Sequence, residues 1–255
     1  MSRRASKRSL PLAQRTPQRW TPALIEGVVA GEAAVLGEML REGHEESPEL
    51  AARAALVRAH ELTVAALERD PSSSIACRAG CSSCCSAKVV VTAPEILRIA
   101  AHLRRALDAD ALALLLDRVR AVDARTRGAT RAQRAEMHIP CPLLEQGNCS
   151  IHQARPLHCF AWTSFDAAAC ERYWEAPGEQ MAPPHHGTYY ELTSAVLAGL
   201  GRACFESGLD GTPLELIAAL RIALERPNAG ERWQKQLPVF STARDPEWLS
   251  ENGFG

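Results

Sequence analysis

The stretch Cys77-Arg78-Ala79-Gly80-Cys81-Ser82-Ser83-Cys84-Cys85 puts four cysteines into nine positions. A second group follows 56 residues after it, Cys141-Pro142-Leu143-Leu144-Glu145-Gln146-Gly147-Asn148-Cys149, continuing to Cys159 and then to Cys170. Thiolates are soft ligands, and all-sulfur sites select zinc, iron–sulfur clusters or Cu(I). Close spacing lets one loop present several sulfurs to one point, and Gly80 permits the tight backbone that this needs. Nothing Met-rich accompanies the cysteines, which sets copper last.

A disulfide framework is the first competing reading. The count of nine is odd, the chain of 255 residues is long enough to fold without staples, and no secretion signal is legible. Adjacent Cys84 and Cys85 are also poorly placed to bridge each other. Buried free cysteines are the second competing reading. Two dense groups separated by a helical pair argue against it.

The flanking sequence is helical in pattern. Leu24, Ile25, Val28, Val29, Val35, Leu36, Met39 and Leu40 recur at helical spacing between Pro22 and Arg41, with Thr21 as N-cap and Gly43 as stop. Ser47-Pro48-Glu49 opens a second helix to about Arg69, ended by Asp70-Pro71. Thr92-Ala93-Pro94-Glu95 reads as a capping box for a helix to about Leu107. Asp108 or Asp110 caps another to about Arg127. Thr188–Phe205 and Pro213–Arg226 complete the set, stopped by Gly208 and Pro227. Lys88–Val91 is β-branched but too brief to imply a sheet. The second cysteine group, with Pro140, Pro142, Gly147 and Pro156, reads as irregular, and 176–187 as a loop.

The expected fold is therefore mostly α, with helices packed around an irregular, cysteine-rich metal-binding centre. A basic tail over 1–20, expected to be disordered, precedes a single helical domain over 21–255, whose cysteine core spans 77–170. Formal net charge is −1, so the total gives no reason to expect nucleic acid. No apolar run reaches the roughly 20 residues of a membrane helix. The arginines near the N-terminus lack the apolar stretch of an export signal, and the expected location is cytoplasmic.

The joint pattern C-x3-C-x2-C-C, C-P-x-L, G-x-C-x-I and R-P-x-x-C resembles the YkgJ-type cysteine-cluster family. It is carried by Cys77, Gly80, Cys81, Cys84, Cys85, Cys141, Pro142, Leu144, Gly147, Cys149, Ile151, Arg155, Pro156 and Cys159. The resemblance implies a zinc- or iron-chelating, or iron–sulfur, protein of bacterial type. Some flagellin lysine methylating proteins share the cysteine pattern, which points towards chemistry. His152 and Phe160 depart from the Tyr and Arg frequent in the family. Cys77-x3-Cys81-x2-Cys84 also matches the spacing of radical enzymes that use S-adenosylmethionine. Those are α/β barrels with the motif after a first strand, whereas helices precede it here and the strand–helix repeats are missing.

The expected metal ligands are Cys77, Cys81, Cys84, Cys85, Cys141, Cys149, Cys159 and Cys170. Zinc and iron–sulfur clusters both take four thiolates per site. Only Cys81 and Cys84 show the knuckle spacing of zinc ribbons. The density of the first group and the prolines beside cysteines favour an iron–sulfur cluster over zinc. The alternatives are a metal-dependent enzyme, in redox or group-transfer chemistry on a partner protein, or a zinc-stabilised interaction module. His152 and His158 flank Cys159 and read as loop histidines before ligands. His185-His186 reads as an exposed loop. Arg155 reads either as an offset to thiolate charge or as half of an ion pair. Trp162, Phe165, Tyr173 and Trp174 read as packing over the site, and Cys204 as a buried apolar residue.

Overall fold

The computed structural model describes residues 20–68, 74–176 and 185–251. The expected tail, the Asp70-Pro71 stop and most of the 176–187 loop lie outside the described residues.

Helix α1 (Pro22–Arg41) starts where the caps direct. Thr21 Oγ1 accepts the Leu24 N–H at 3.3 Å, and Pro22 holds the first helical position. In α2 (Ser47–Leu67) the buried stripe is Ala51, Ala52, Ala55 and Ala59. Small side chains let other helices approach α2 closely. Strand β1 (Val90–Val91) leads into α3 (Ala93–Ala106), whose capping box is complete. Glu95 Oε2 accepts the Thr92 N–H at 2.8 Å and the Thr92 hydroxyl at 2.9 Å. Asp108 Oδ1 accepts the Ala111 N–H at 2.8 Å and opens α4 (Ala109–Thr126). The sequence left Asp108 and Asp110 as alternatives; Asp108 is the cap.

The segment expected to be irregular holds short elements. These are α5 (Arg131–Glu136), strands β2 (Leu144–Glu145) and β3 (Asn148–Cys149), α6 (Leu157–Ala161) and α7 (Ala167–Glu175). Each is too short to show a hydrophobic period, so pattern reading passes over them. Helix α8 (Gly187–Glu206) follows, then strand β4 (Leu214–Glu215), α9 (Leu216–Glu225), α10 (Ala229–Gln234) and α11 (Pro246–Glu251). The run over 88–91 does pair: Val90 faces Glu215 and Val91 faces Leu214, antiparallel. The same pairing corrects the expected helix start at Pro213, because two residues of strand precede α9.

The packing is that of helices around the cysteine segments. Helix α8 packs on α1, α2 and α6; α3 packs on α2 and α9; α4 packs on α9. One hydrophobic cluster runs from Leu36 and Leu40 through Ile96, Ile99, Val196, Leu200 and Leu220 to Phe240. A buried ion group pins the C-terminal end to the strand after the first cysteine group. Lys88 Nζ donates to Asp245 Oδ1 at 2.6 Å and to Glu247 Oε2 at 2.7 Å, with the Lys88 and Asp245 side chains almost wholly out of solvent. Among the described residues, no helix is long and apolar enough to cross a membrane.

Candidate metal centre

The first cysteine segment is a pair of turns. Cys81 N–H donates to Arg78 O at 3.0 Å, and Gly80 between them has φ +81°, a conformation that side-chain-bearing residues rarely adopt. A 3₁₀ turn over Ser83–Ser86 then carries Cys84 and Cys85. The second segment begins on the first: Cys141 N–H donates to Cys85 O at 2.7 Å. Leu144 faces Cys149 across the β2–β3 hairpin. Its two-residue turn, Gln146-Gly147, has φ +50° and +77°, the doubly positive pattern of a type I′ hairpin. The stretch expected to be irregular thus holds a hairpin, whose available mark in the sequence is Gly147 at the turn.

Helix α3 holds the approach to Cys159. Glu95 Oε1 accepts the Leu157 N–H at 2.8 Å, while its other oxygen caps α3. Arg98 Nη2 donates to Ala154 O at 2.7 Å and to Arg155 O at 3.1 Å. These bonds fix the Ala154–Leu157 stretch, so that Pro156 enters α6 with Cys159 facing inward. Asp166 Oδ1 accepts the Ala169 N–H at 2.9 Å and starts α7, which carries Cys170.

Seven cysteines line one cavity of about 530 Å³: Cys77, Cys81, Cys84, Cys85, Cys141, Cys149 and Cys159. The two sequence groups thus converge. Cys170 stands beside the cavity, where its thiol and that of Cys77 both bond to Ser164; the Ser164 N–H reaches Cys77 Sγ at 3.3 Å. Cys204 is wholly buried in α8, outside the cavity wall. All nine cysteines are free. Among the described residues, no three His, Cys, Asp or Glu side chains are drawn close enough together to grip an ion. The sulfurs surround a space instead of meeting at a point.

Burial and neighbouring sulfurs disfavour the thiolate form of these cysteines. Burial pushes the Cys77, Cys149 and Cys170 thiols up, takes Cys141 to about 11, and raises Cys159 well above the ordinary thiol value. Cys84 is raised first by its hydrogen bond to Cys85 and then by burial. Deprotonated ligands are a condition of metal binding, so a bound cation has to reverse these shifts. A positive charge that already opposes them at Cys77, Cys84, Cys149 and Cys159 is Arg155. Its guanidinium lies 4.8 Å from the centre of the Phe160 ring and 3.1 Å from His152 Nε2. Among the described residues it has no carboxylate partner within salt-bridge distance, so the ion-pair role is not the one observed there. Arg134, only 1% exposed, has no hydrogen-bond partner at any guanidinium nitrogen, and its charge acts on Glu215 and Cys141. Sequence pattern gave no sign of Arg134, because its helix is six residues long.

His152 lies at the cavity edge and is exposed. His158 is held down to about 4 by burial, so it is neutral, and its ring meets Trp162 edge-on at 4.8 Å. Trp162 lines the cavity and packs on Trp174 at 6.4 Å. His185-His186 is not the exposed loop expected. His185 stacks on Trp162 at 5.8 Å and His186 is 1% exposed. The reason is tertiary: Ser164 and His185 form a β-bridge, and the His186 N–H donates to Thr163 O at 2.7 Å.

Helices enclosing a cavity walled by thiols define a cysteine-cluster protein. Residues 76–176, about two fifths of the chain, match the family model CxxCxxCC, described as a putative zinc- or iron-chelating domain. The match falls on the segment whose cysteine spacing resembles the YkgJ-type family. No curated protein and no solved structure matches the chain.

Proposed function

We propose that this is a cytoplasmic metal-binding protein whose ligands are Cys77, Cys81, Cys84, Cys85, Cys141, Cys149, Cys159 and Cys170, and that it holds iron–sulfur in preference to zinc. The observation that carries the reading is the convergence of seven thiols from two distant segments on one cavity. Match to a zinc- or iron-chelating family model supports metal binding through these residues. The preference for iron–sulfur rests on the density of the first group and on the prolines beside several cysteines. Chain groups supply the rest: Arg155 offsets thiolate charge, and Trp162 with its aromatic neighbours limits water.

The test is purification without oxygen, followed by absorption and Mössbauer spectra and sulfide analysis. Brown protein with acid-labile sulfide is expected. Colourless protein with stoichiometric zinc reverses the preference, and protein that retains neither metal removes the reading.

A second reading, an enzyme using the centre in redox or group-transfer chemistry on a partner protein, is favoured by one feature. Apart from the sulfurs, the cavity wall is partly apolar, with Ile75, Val89, Leu143, Leu216 and Ile217, as substrate pockets are. It requires an exchangeable coordination position. A change in the metal's spectrum on adding cyanide or a small thiol supports this reading; an unchanged spectrum supports a closed structural site.

A further inference from the structure

We propose that the outer face of α1 and α2 is a docking surface for a second copy of this chain, related by a two-fold axis that sets each helix antiparallel to its own counterpart. The inference goes beyond the metal centre and does not depend on which metal it holds.

Helices α1 and α2 follow each other through a short turn, and both pack on α8. Their buried stripes are Ala33, Leu36 and Leu40 on α1 and Ala51, Ala55 and Ala59 on α2. The opposite sides therefore look away from α8 together, as the outer face of one layer. On α1 that face carries Leu24 and Val35, which are 54% and 58% exposed. Gly27 and Gly31 lie between them, and among the described residues nothing stands within 4 Å of the place a Cβ would take at either. Glycine weakens a helix interior relative to alanine, and no neighbour in the described chain requires it here; a second backbone in close approach does. The acidic residues of this span are turned elsewhere: Glu26 accepts from Arg202 on α8 and Glu32 from Arg58 on α2. On α2 the exposed apolar residues Leu50, Val57 and Val64 recur every seven positions, in line along the helix. Contiguous exposed apolar surface of this kind marks an interaction site.

The pattern itself names the occupant. A two-fold contact brings residue i to residue j and j to i, so an antiparallel helix pair needs a ridge that reads alike in both directions. Both ridges do. On α1, Leu24, Val28, Gly31 and Val35 are spaced four, three and four. Antiparallel pairing sets Leu24 opposite Val35 and Val28 opposite Gly31, so that glycine receives the larger side chain. It also sets Glu38 opposite Thr21, a carboxylate beside the positive end of a helix. On α2, Leu50, Arg53, Val57, Glu61 and Val64 are spaced three, four, four and three. Val57 falls on the axis, Leu50 lies opposite Val64, and exposed Arg53 lies opposite exposed Glu61, which gives two ion pairs per contact. A parallel arrangement sets like charges together instead. The Glu32–Arg58 bond at 2.9 Å holds the centres of the two ridges within about one helical turn of the same height, so one axis serves both. Two helices about 30 Å long and about 10 Å wide offer about 600 Å² per chain, or about 1,200 Å² in the pair, the lower end of specific interfaces and an area that fits a reversible dimer.

The test is sedimentation equilibrium of the full chain with its metal, under reducing conditions without oxygen, from low to hundreds of micromolar. A reversible monomer–dimer equilibrium is expected. Val57→Arg, on the axis, should leave monomer throughout. Arg53→Glu and Glu61→Arg should each raise the dissociation constant about tenfold, because each sets two like charges together, and the two combined should restore the unaltered affinity. These positions are exposed, so circular dichroism, Tm and metal content should not change. A dimer that survives Val57→Arg overturns the surface, and a double variant that stays weak overturns the antiparallel pairing. An unaltered chain that is monomeric throughout overturns the second copy as occupant. In that event a Tm lowered by Val35→Glu assigns the face to a cover within the chain, and an unchanged Tm assigns it to a different protein.

Discussion

Helices α7 and α9 are nearly the same length and are held in opposite ways. In α9, eight of ten residues are buried, from Leu216 to Leu224. In α7, none of nine is buried. Apolar burial is therefore the main hold on α9, at roughly 1.5–3 kcal/mol for each large side chain removed from water, with Glu215 capping its first turn. Helix α7 has an Asp166 cap, a ring contact between Trp174 and Trp162, a bond from His138 Nε2 to Trp174 O at 2.6 Å, and Cys170. An isolated helix of nine residues is not stable in water. The contrast shows that this chain uses two stabilising principles side by side: hydrophobic burial in the shell, and directed bonds with thiol chemistry around the cavity.

The largest effect expected from this contrast follows loss of metal. Binding energy at a site absent from the unfolded chain is folding energy. Cys159→Ser, or exhaustive chelation, should cost several kcal/mol and make 139–176 open to protease and to hydrogen exchange, α7 first. Protection in α1, α8 and α9 should persist. Equal exchange of 139–176 with and without metal would break the comparison.

The converse variant is Lys88→Met. It leaves Asp245, wholly buried, without its cation, a loss of about 3–5 kcal/mol for a broken buried pair. Denaturant unfolding should show that loss, while metal per folded chain stays unchanged. A drop in metal content would join the shell and the centre more tightly than the contrast allows.

Glu95→Ala strikes the joint between the two regions. It removes the α3 capping box and the acceptor of the Leu157 N–H together. A loss of about 2–3 kcal/mol is expected, from charged hydrogen bonds and a stranded N–H. Because Leu157 leads into Cys159, metal release should also quicken, as followed by transfer to a chromophoric chelator. The smallest effect belongs to Cys204→Ser. It places a hydroxyl in the α8 core at about 1 kcal/mol and should leave metal content as it was. Metal loss in this variant would contradict its placement outside the centre.

The sequence by itself determined the shell and singled out the cysteines as candidate donors. Long amphipathic helices with Thr21, Thr92 and Asp108 as caps are local features, and their start residues match the structure. Eight clustered cysteines with Gly80 announced soft-metal chemistry without any structure, because ligand type and spacing are written in the chain. Tertiary structure alone decided three things. It brought Cys85 and Cys141 together through one backbone bond across 56 residues. It buried His186 against Thr163, where two prolines nearby suggested exposure. It placed Arg155 where its charge meets thiols, and Arg134 where its charge meets Glu215 and Cys141. Each depends on contacts between residues far apart in sequence, and short elements such as α5, α6 and α7 carry no period long enough to reveal them. Local propensity and ligand chemistry are properties of neighbours along the chain, whereas burial, charge pairing and the convergence of distant sulfurs on one cavity are properties of neighbours in space.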